Sequence, residues 1–338
     1  MTYPLVSVVI PIWNVSQYVE KSIGSLFDQS YSKIEYIFIN DNSPDDSITR
    51  IQKLLTQYPN RQHQVKIIHH EINTGLGTSR HDGQLQATGQ FIINCDSDDW
   101  FAPSYIEDLV YKAISSNNDI VICDYYISYK HEQIRSTQRF EGDGISLVRN
   151  ILLGKTQGFL WNKLIKRELF EAYNIYSIPN INMWEDILLI CRICVHAKSV
   201  GYIPEALIYY NQTNINSYST QRISQKSLQD IEFVVNYLDT FFRTSNIRSI
   251  DTNIISDFKL RAKTYFLINT KGSLRKEYNK RYPEICKRCF KKRLYPIYSN
   301  LVLIAAYFHM YCVIDIIWKS INSLKPLLNK LRKCQIEK

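Results

Sequence analysis

Short apolar runs and longer amphipathic runs alternate along the first 125 residues of the chain. Five short runs are mostly apolar, and the first of them is β-branched and nearly uninterrupted, which is typical of a strand buried on both faces of a sheet. These predicted strands cover residues 6–12, 34–40, 65–69, 91–95 and 119–123. The segments between them place apolar residues at helical spacing. The alternation predicts an α/β fold with a mostly parallel sheet and flanking helices.

Three of these predicted strands end in segments that carry polar or acidic residues. The segments are residues 11–14 (PIWN), 40–43 (NDNS) and 96–100 (DSDDW). In open α/β sheets, ligands bind beyond the carboxyl ends of the strands. We therefore expect these three segments to contribute to one functional site.

The segment from Asp96 to Asp99 places three carboxylates within four residues, directly after a buried strand. Like charges this close repel each other, and a divalent cation relieves the repulsion. A hard ion such as Mg²⁺ or Mn²⁺ takes one or two carboxylates together with phosphate oxygens of a substrate. The alternative is a solvated acidic turn that caps the next helix. The apolar strand before the segment and Trp100 after it favour a metal and diphosphate site.

Other polar segments have both a functional and a structural interpretation. Asp41 could accept hydrogen bonds from a nucleobase or ribose, or it could belong to an Asx turn without a ligand. The glycine-rich segment 75–80 is not a dinucleotide loop, because G-x-G-x-x-G requires glycine where Arg80 stands. A glycine-rich turn before a helix can still serve an anion, and Arg80 could reach a diphosphate or a base. Glu185 and Asp186 open a helix, where they complement its dipole or supply a general base.

The cysteines do not indicate a zinc centre or a disulfide scaffold. The pairs Cys191/Cys194 and Cys286/Cys289 are much further apart than the roughly 15–20 residues of ordinary zinc modules. Eight cysteines in 338 residues favour reduced thiols in the cytosol. The first residues have neither the basic nor the cleavable apolar part of a signal peptide, so we expect a cytoplasmic protein.

The distribution of charge and apolar residues predicts two domains, 1–225 and 226–338, the second helical. Residues 275–338 contain 15 Lys and Arg against four acidic residues, a net charge of +11 in a chain of +9. The apolar stretch 301–318 contains His309 and Asp315, so it is a poor membrane span. Its basic flanks fit an interfacial helix on an anionic membrane, and the alternative is a core helix of the second domain. Nucleic acid is disfavoured, because the basic residues flank aliphatic segments.

In their order and spacing, these segments resemble the motifs of glycosyltransferase family 2, the nucleotide-sugar transferases of GT-A fold. The resemblance covers roughly residues 4–220 and rests on the following segments of this chain: Ser7 to Asn14, Asn40 to Ser47, Asn73 to Arg80, Ala87 with Gly89, Phe91 to Trp100, Trp161 to Leu164, Glu185 with Asp186, Tyr209 with Tyr210, and Asn216 with Ser217. It implies a Rossmann-like GT-A catalytic domain followed by a helical, basic C-terminal region.

The resemblance also implies roles for individual residues. The predicted nucleotide-binding residues are Pro11, Asn14, Asp41, Arg80, Asp96 and Ser97. Asp98 would bind the Mg²⁺ or Mn²⁺ that bridges the diphosphate, and Asp186 would be the general base. The predicted residues on the acceptor side are Trp161, Asn162, Lys163, Trp184 and Glu185. Several positions depart from the family pattern: Asn40, Asn42, Ser79, His81 and Asn211. At Asn42 the family has glycine, and asparagine tolerates the left-handed backbone such a turn requires.

The implied activity is inverting transfer of a sugar from a nucleoside-diphosphate sugar, UDP-linked by expectation, to a hydroxyl of a saccharide acceptor. The acceptor is expected to be lipid-linked, in exopolysaccharide, capsule or lipopolysaccharide assembly. The basic tail would hold the protein peripherally on the inner face of the cell membrane. The alternative is a catalytically silent, sugar-nucleotide-binding partner subunit. A nucleotidyltransferase is disfavoured, because residues 11–15 contain no glycine and no basic residue.

Overall fold

The computed structural model describes residues 3–214, 217, 223–245, 247, 250–291, 293–294, 298–321 and 323. Its strands are β1 (Val6–Ile12), β2 (Ile34–Asn40), β3 (Val65–His69), β4 (Phe91–Asn94), β5 (Trp100–Phe101), β6 (Ile120–Ser128), β7 (Gln133–Ser136), β8 (Lys163–Lys166) and β9 (Val200–Asn211). Its helices are α1 (Val19–Phe27), α2 (Ser47–Leu55), α3 (Leu76–Leu85), α4 (Tyr105–Ser115), α5 (Gly144–Leu153), α6 (Glu168–Glu171), α7 (Glu185–Cys194), α8 (Gln225–Thr244), α9 (Thr252–Asn269), α10 (Gly272–Asn279) and α11 (Tyr298–Tyr307). Two 3-10 helices cover Pro59–Gln64 and Pro283–Phe290, and residues 311–321 are also helical.

The strands form one mixed sheet in the order β3-β2-β1-β4-β8-β6-β9-β5, with β7 paired to β6. The first four strands in this order are parallel, as the alternation of apolar and amphipathic runs predicts. Beyond β4 the pairings are mixed, because β8 is antiparallel to both β4 and β6 while β9 is parallel to β6. All five predicted strands are present within two residues of their expected starts, and the α/β fold is confirmed.

The sheet opens at the carboxyl end of β1. All seven residues of β1 are buried, in keeping with its almost wholly apolar sequence. The pairing of β1 with β4 ends at Val9 opposite Asn94, whereas the pairing with β2 continues to Ile12. Pro11 lies in the unpaired stretch on the β4 side, where its missing N–H removes no ladder hydrogen bond. Such a crevice between diverging strands is the usual ligand site of an open α/β sheet.

The chain divides into two compact units. The first comprises Met1–Val148 with Gly158–Gln221, and the second comprises Arg149–Gln157 with Arg222–Lys338. The second unit is helical where it is described. Its buried residues include Leu228, Val234 and Leu238 on one face of α8, as their helical spacing predicts. The assignment of functional domains to 1–225 and 226–338 stays a prediction.

The apolar stretch 301–318 is not one interfacial helix, so that expectation is wrong. Helix α11 ends at Tyr307, and His309 adopts a left-handed backbone with φ of 57° before residues 311–321 resume a helix. Part of the stretch is core, since Val302 and Ala306 are almost completely buried. Within the described residues, every helix is too short or too polar to span a bilayer.

Candidate active site

The acidic turn 96–99 follows β4 and is held against the end of β9. The Asn211 backbone N–H donates to Asp99 Oδ1 (2.8 Å), and the Asn211 side chain donates to the Asp98 carbonyl (3.1 Å). The Asn214 amide donates to Asp98 Oδ2 (2.7 Å). Asn211, which departs from the family pattern, therefore fixes the carboxylate-bearing turn.

Two carboxylates of the acidic turn, Asp98 and Asp99, have raised pKa values because they are buried beside other negative charges. Burial, reinforced by the charge of Asp96, raises the pKa of Asp98 to about 6. Burial and the two neighbouring carboxylates also raise the pKa of Asp99 well above its ordinary value. Among the described residues, the buried Asp99 Oδ2 has no hydrogen-bond partner. The turn thus holds more negative charge than the surrounding protein neutralises.

The donor set at this turn fits a divalent cation that is shared with a substrate. No group of three or more His, Cys, Asp or Glu side chains among the described residues could hold an ion. The Asp96 side chain is 27% exposed, so at least one carboxylate is accessible. Mg²⁺ is commonly bound by one or two protein carboxylates and completed by phosphate oxygens and water. Asp96 and Asp98 match that arrangement, and they do not match a site built from protein ligands alone.

Arg80, on helix α3, connects the acidic turn to the start of α7. Its guanidinium donates through Nη2 to Asp96 Oδ1 (2.5 Å) and through Nη1 to Glu185 Oε1. The Arg80 side chain is only 3% exposed, and its Nε has no hydrogen-bond partner among the described residues. Burial alone would lower the pKa of Arg80, but the charges of Asp96, Glu185 and Asp186 raise it. Arg80 therefore remains a cation shared by several carboxylates.

Helix α7 begins with the two carboxylates that the sequence singles out. Trp184, at its N-cap, adopts a left-handed backbone with φ of 61°. Glu185 is buried and paired with Arg80, whereas Asp186 is partly exposed and accepts the Ile187 N–H at 2.7 Å. Burial raises the pKa of Asp186, although Arg80 and the Ile187 N–H oppose the shift. A carboxylate with a raised pKa is the stronger base, as general-base catalysis requires.

Helix α3 is hydrogen-bonded along its length to the segment that precedes α7. The bonds run from the Gly77 N–H to Asn182 Oδ1 (2.9 Å), from the Asn180 N–H to Thr78 Oγ1 (3.1 Å), and from the Ser177 N–H to Gln84 Oε1 (2.9 Å). His81, another departure from the family pattern, lies with Nδ1 2.7 Å from the Ser177 carbonyl oxygen. These contacts and the Arg80 ion pairs fix the position of Asp186 relative to the acidic turn.

Asp41 organises the glycine-rich loop. Its Oδ1 accepts from the Thr74 N–H (2.8 Å) and hydroxyl (2.7 Å), and its Oδ2 accepts from the Gly75 N–H (2.7 Å). His70 Nδ1 lies 2.8 Å from Asp41 Oδ1. The carboxylate is almost fully buried and already engaged, so its contact with a nucleobase stays a prediction.

The loop after β2 brings Asn14 to the same edge of the sheet. Asn42 has a φ of 52°, which agrees with the expectation that asparagine preserves the left-handed turn. Asn40 Oδ1 accepts the Ser43 N–H (3.0 Å), and Ser43 Oγ accepts the Asn14 N–H (2.8 Å). Pro11 and Ser97 are buried, whereas Asn14 is partly exposed. Of these three residues, Asn14 therefore offers a side chain to a ligand.

The residues predicted for the acceptor side divide into buried and accessible groups. Trp161, Asn162 and Lys163 are almost completely buried, while Trp184 is partly exposed. Lys163 Nζ donates to the Phe159 carbonyl (2.5 Å) and to Asn162 Oδ1 (2.7 Å). Burial lowers the pKa of Lys163 to about 8, although the interactions with Cys194 and Asp186 act to raise it. Direct acceptor contact by these residues stays a prediction, and their burial favours a supporting role.

Four residues of the site were not identified from the sequence as site residues: His70, Thr74, Asn182 and Asn214. Each lies in an irregular segment and hydrogen-bonds to a residue at least 29 positions away in the chain. His70 and Thr74 contact Asp41, Asn182 contacts Gly77, and Asn214 contacts Asp98, while Thr74 also contacts the nearby His70. A polar residue in a loop carries no pattern that identifies such a partner. Asn216, part of the closing motif, lies outside the described residues.

Comparisons with known proteins identify the family and the fold of this chain. The sequence model described as Glycosyl transferase family 2 matches residues 7–177, just over half of the chain. EpsH of Bacillus subtilis, a glycosyltransferase by name, is 32% identical over 219 residues, which span 62% of this chain and 61% of EpsH. The match thus covers less than two thirds of that relative's length.

Two solved structures share the fold at low sequence identity. S. aureus TarS 1–349 in complex with UDP-GlcNAc has a TM-score of 0.61 at 15% identity, covering 94% of this chain and 92% of that one. Mannosyltransferase PcManGT from Pyrobaculum calidifontis, in complex with GDP-Man and Mn²⁺, has a TM-score of 0.52 at 14% identity, covering 91% and 87%. The GT-A-like α/β fold with a helical C-terminal region is therefore confirmed.

Proposed function

Because the chain belongs to glycosyltransferase family 2, we propose that it is an inverting hexosyltransferase that uses a nucleoside-diphosphate sugar and a divalent cation. One observation carries the proposal. The buried guanidinium of Arg80 joins Asp96, on the acidic turn, to Glu185, the neighbour of Asp186. It links a candidate cation-binding segment to the start of the helix that carries a candidate base, and this reaction requires both a cation and a base.

The acidic turn and the loops beside it would bind the donor. Asp98 would hold Mg²⁺ or Mn²⁺, which when bound neutralises charge on the departing diphosphate, and Asp96 would bind the ribose or a metal-bound water. Asn14, Pro11, Asp41, Arg80 and Ser97 would form or support the nucleotide pocket. A UDP-linked donor is favoured by the likeness to TarS, whose structure contains UDP-GlcNAc, and the GDP-Man in PcManGT supports the same class of ligand.

Asp186 would carry the proton transfer. Its carboxylate accepts the proton of an acceptor hydroxyl, whose oxygen forms a bond to the anomeric carbon of the donor. The bond from that carbon to the diphosphate oxygen breaks, and the nucleoside diphosphate leaves with the bonding electrons. Attack from the face opposite the leaving group inverts the anomeric configuration, so an α-linked donor gives a β-linked product.

The acceptor proposed is a lipid-linked saccharide in exopolysaccharide, capsule or lipopolysaccharide assembly. A lipid-linked acceptor lies at a membrane surface, and the net charge of +11 over residues 275–338 suits an anionic surface. Peripheral attachment to the inner face of the cell membrane is part of the same proposal.

A donor screen tests this function. Purified protein is mixed with UDP-, GDP- and dTDP-sugars in Mg²⁺ or Mn²⁺, and nucleotide release is measured with and without EDTA. We expect cation-dependent release from one donor, loss of at least 100-fold in Asp98→Asn, and no loss in Glu132→Gln, an exposed carboxylate. Asp186→Asn should keep donor binding and lose transfer to an acceptor. Donor binding without turnover by the unaltered protein, even with lipid-linked acceptors, would identify a silent subunit instead.

A further inference from the structure

Helix α11 is apolar on both its inner and its outer side. Its inner side packs on α9 and buries Val302, Leu303, Ala305 and Ala306. Its outer side leaves Leu301 56% exposed and Tyr307 40% exposed. A surface helix ordinarily has polar residues on its outer side, and a helix that is apolar all round is ordinarily covered all round.

Three exposed aromatic residues meet at the end of this helix and form an aromatic cluster: Phe290, Tyr307 and Phe308. The ring centroids of Phe290 lie 5.2 Å from Tyr307 and 6.2 Å from Phe308, and those of Tyr307 and Phe308 are 5.3 Å apart. Phe308 is 57% exposed, and Met310 in the turn that follows is 42% exposed. Because these side chains are contiguous, they form a patch and not a set of scattered surface residues.

Exposed cations accompany the aromatic cluster along the chain. Lys287, Lys291 and Arg293 are exposed and lie within three residues of Phe290. An apolar patch bearing aromatic rings, with lysine and arginine beside it, matches the chemistry of an anionic lipid–water interface. The rings enter the boundary between headgroups and acyl chains, and the cations meet the lipid phosphates.

We propose that the aromatic cluster, together with Leu301 and Met310, inserts into the surface of an anionic phospholipid membrane, with Lys287, Lys291 and Arg293 contacting the headgroups. The inference deepens the proposed function, since it names the surface that would hold the enzyme at the membrane of its lipid-linked acceptor. It replaces the single interfacial helix expected from the sequence with a patch formed by two segments.

Charge distinguishes a lipid surface from two other possible occupants of this patch, a second copy of the chain and residues 324–338 of the same chain. In a symmetric dimer the same cations would face each other across the interface, which repels. Residues 324–338 of this chain contain five Lys or Arg and one Glu, so they too would bring positive charge to a basic surface. An anionic membrane is the occupant that complements both the apolar side chains and the charge.

Vesicle flotation with the full chain tests the proposal. The probes are vesicles of phosphatidylcholine alone and vesicles that also contain phosphatidylglycerol. We expect binding to the anionic vesicles, weakened by added salt, and a reduction of at least tenfold in Phe290→Ser/Phe308→Ser. Lys287→Gln/Lys291→Gln should weaken binding about fivefold for each charge removed. Tyr111→Ser is the matched control, because Tyr111 is 73% exposed on helix α4 and should not affect binding.

Three results would overturn the inference: unchanged vesicle binding in Phe290→Ser/Phe308→Ser, loss of binding on removing residues 324–338 alone, or a dimer in solution that these serine substitutions dissociate. Nucleotide release from a soluble donor is measured on the same variants and should not change. Loss of vesicle binding with intact nucleotide release supports the inference. A protein that binds vesicles as expected but releases nucleotide from no donor would contradict the proposed function. The membrane-binding patch would still be supported by that result.

Discussion

Arg80 is the residue on which the electrostatics of the site depend. Its guanidinium contacts Asp96 and Glu185 directly, and it also influences the titration of Asp186 and Asp99. Four carboxylates thus share the single positive charge of Arg80. The negative charge that remains without a counter-charge is concentrated on the acidic turn. An excess of this kind costs stability unless a cation joins the site, so it predicts a conflict between stability and activity.

Asp98→Asn should therefore stabilise the metal-free protein while abolishing activity. The folded-state pKa of Asp98 is raised to about 6, so between about pH 4 and 6 the folded state binds a proton more tightly than the unfolded state. Stability without metal accordingly decreases as pH rises through that window. At pH 7.5 the substitution removes the ionised, buried carboxylate, and we expect a gain of up to about 3 kcal/mol in the free energy of unfolding.

Urea unfolding of both proteins at pH 5 and pH 7.5 measures this gain. The two proteins should differ less at pH 5, and Mn²⁺ should stabilise the unaltered protein more at pH 7.5. Glu132→Gln, in an exposed position, should show neither effect. A destabilised Asp98→Asn at pH 7.5 would mean that the acidic turn carries no unfavourable excess of negative charge.

Arg80→Met should strongly destabilise the first unit. The substitution leaves Glu185 buried without its counter-charge, which typically costs about 3–5 kcal/mol. Adding Glu185→Gln removes that buried charge, so the double variant should recover part of the loss in the free energy of unfolding. Arg50→Met is the control, because Arg50 is 42% exposed in its pairs with Glu20 and Asp46 and its loss should hardly change the free energy of unfolding. A double variant no more stable than Arg80→Met would argue against the pairing.

The sequence identifies the charged residues of the site better than their partners. Asp96, Asp98 and Asp186 stand out because carboxylates cluster after a strand or open a helix, patterns that are local in the chain. Asp41 and Arg80 also stand out, but their hydrogen-bond partners lie 16 to 105 residues away. No local pattern encodes such a distance, so the sequence alone cannot show that both side chains are engaged within the protein.

Among the elements, the junction between α3 and the segment before α7 determines the geometry of the site. Gly77 makes the junction possible, because the two backbones approach too closely for a side chain. A Cβ on Gly77 would lie 2.0 Å from the Ile181 carbonyl oxygen and 2.9 Å from that of Ile178. The glycines of this loop are therefore required for packing against another segment, in addition to any role toward a ligand.

Gly77→Ala should displace the segment before α7 and with it Asp186. We expect a loss of several kcal/mol in the free energy of unfolding, since backbone atoms must move, and at least a tenfold loss of nucleotide release. Gly24→Ala in helix α1 is the matched control, because its nearest neighbour would be the Tyr58 hydroxyl at 3.9 Å. That substitution should stabilise the protein by about 0.5–1 kcal/mol. Equal stability of the two variants would show that the loop can relax without cost.

Five strands are predicted from the sequence, including the partly exposed β3, whereas the short strands β7 and β8 are not. β1, β2 and β4 have predominantly apolar sequences that leave little choice of structure. β7 and β8 are four residues each and contain polar or charged side chains, so their sequences lack a strand pattern. They belong to the sheet because β6 and β4 provide edges for pairing, which is a tertiary cause.

At the scale of the whole molecule, the two units are not consecutive in sequence. Residues Arg149–Gln157 group with the helical unit, although the chain on both sides of them belongs to the first unit. The reason is visible at the end of α5, where Arg261 Nη1 donates to the carbonyl oxygens of Ile151 and Leu152, both at 2.7 Å. A basic side chain that satisfies the last carbonyls of a helix stabilises its C-terminus. Composition suggests a boundary near 225 but cannot show this excursion of the chain.

Because residues 149–157 group with the helical unit, we predict that the first 221 residues do not form an independent catalytic domain. A chain that ends there lacks α9 and therefore Arg261, so the last carbonyls of α5 and the buried Leu152 lose the groups that cover them. We expect low soluble yield and a broad thermal transition for residues 1–221. Residues 1–323 retain every described element and should unfold cooperatively and release nucleotide normally.

Arg261→Ala in the full chain separates this local cause from truncation in general. Loss of two partly buried hydrogen bonds should lower the free energy of unfolding by about 1–3 kcal/mol, with nucleotide release unchanged below the transition. Arg243→Ala is the control, because its ion pair with Asp239 leaves the arginine side chain 63% exposed. A 1–221 protein with a sharp transition and full nucleotide release would mean that the catalytic fold does not need the contacts that residues 149–157 make with the helical unit. Because Arg261 lies outside the first unit, its substitution reports on that dependence without altering any residue of the site.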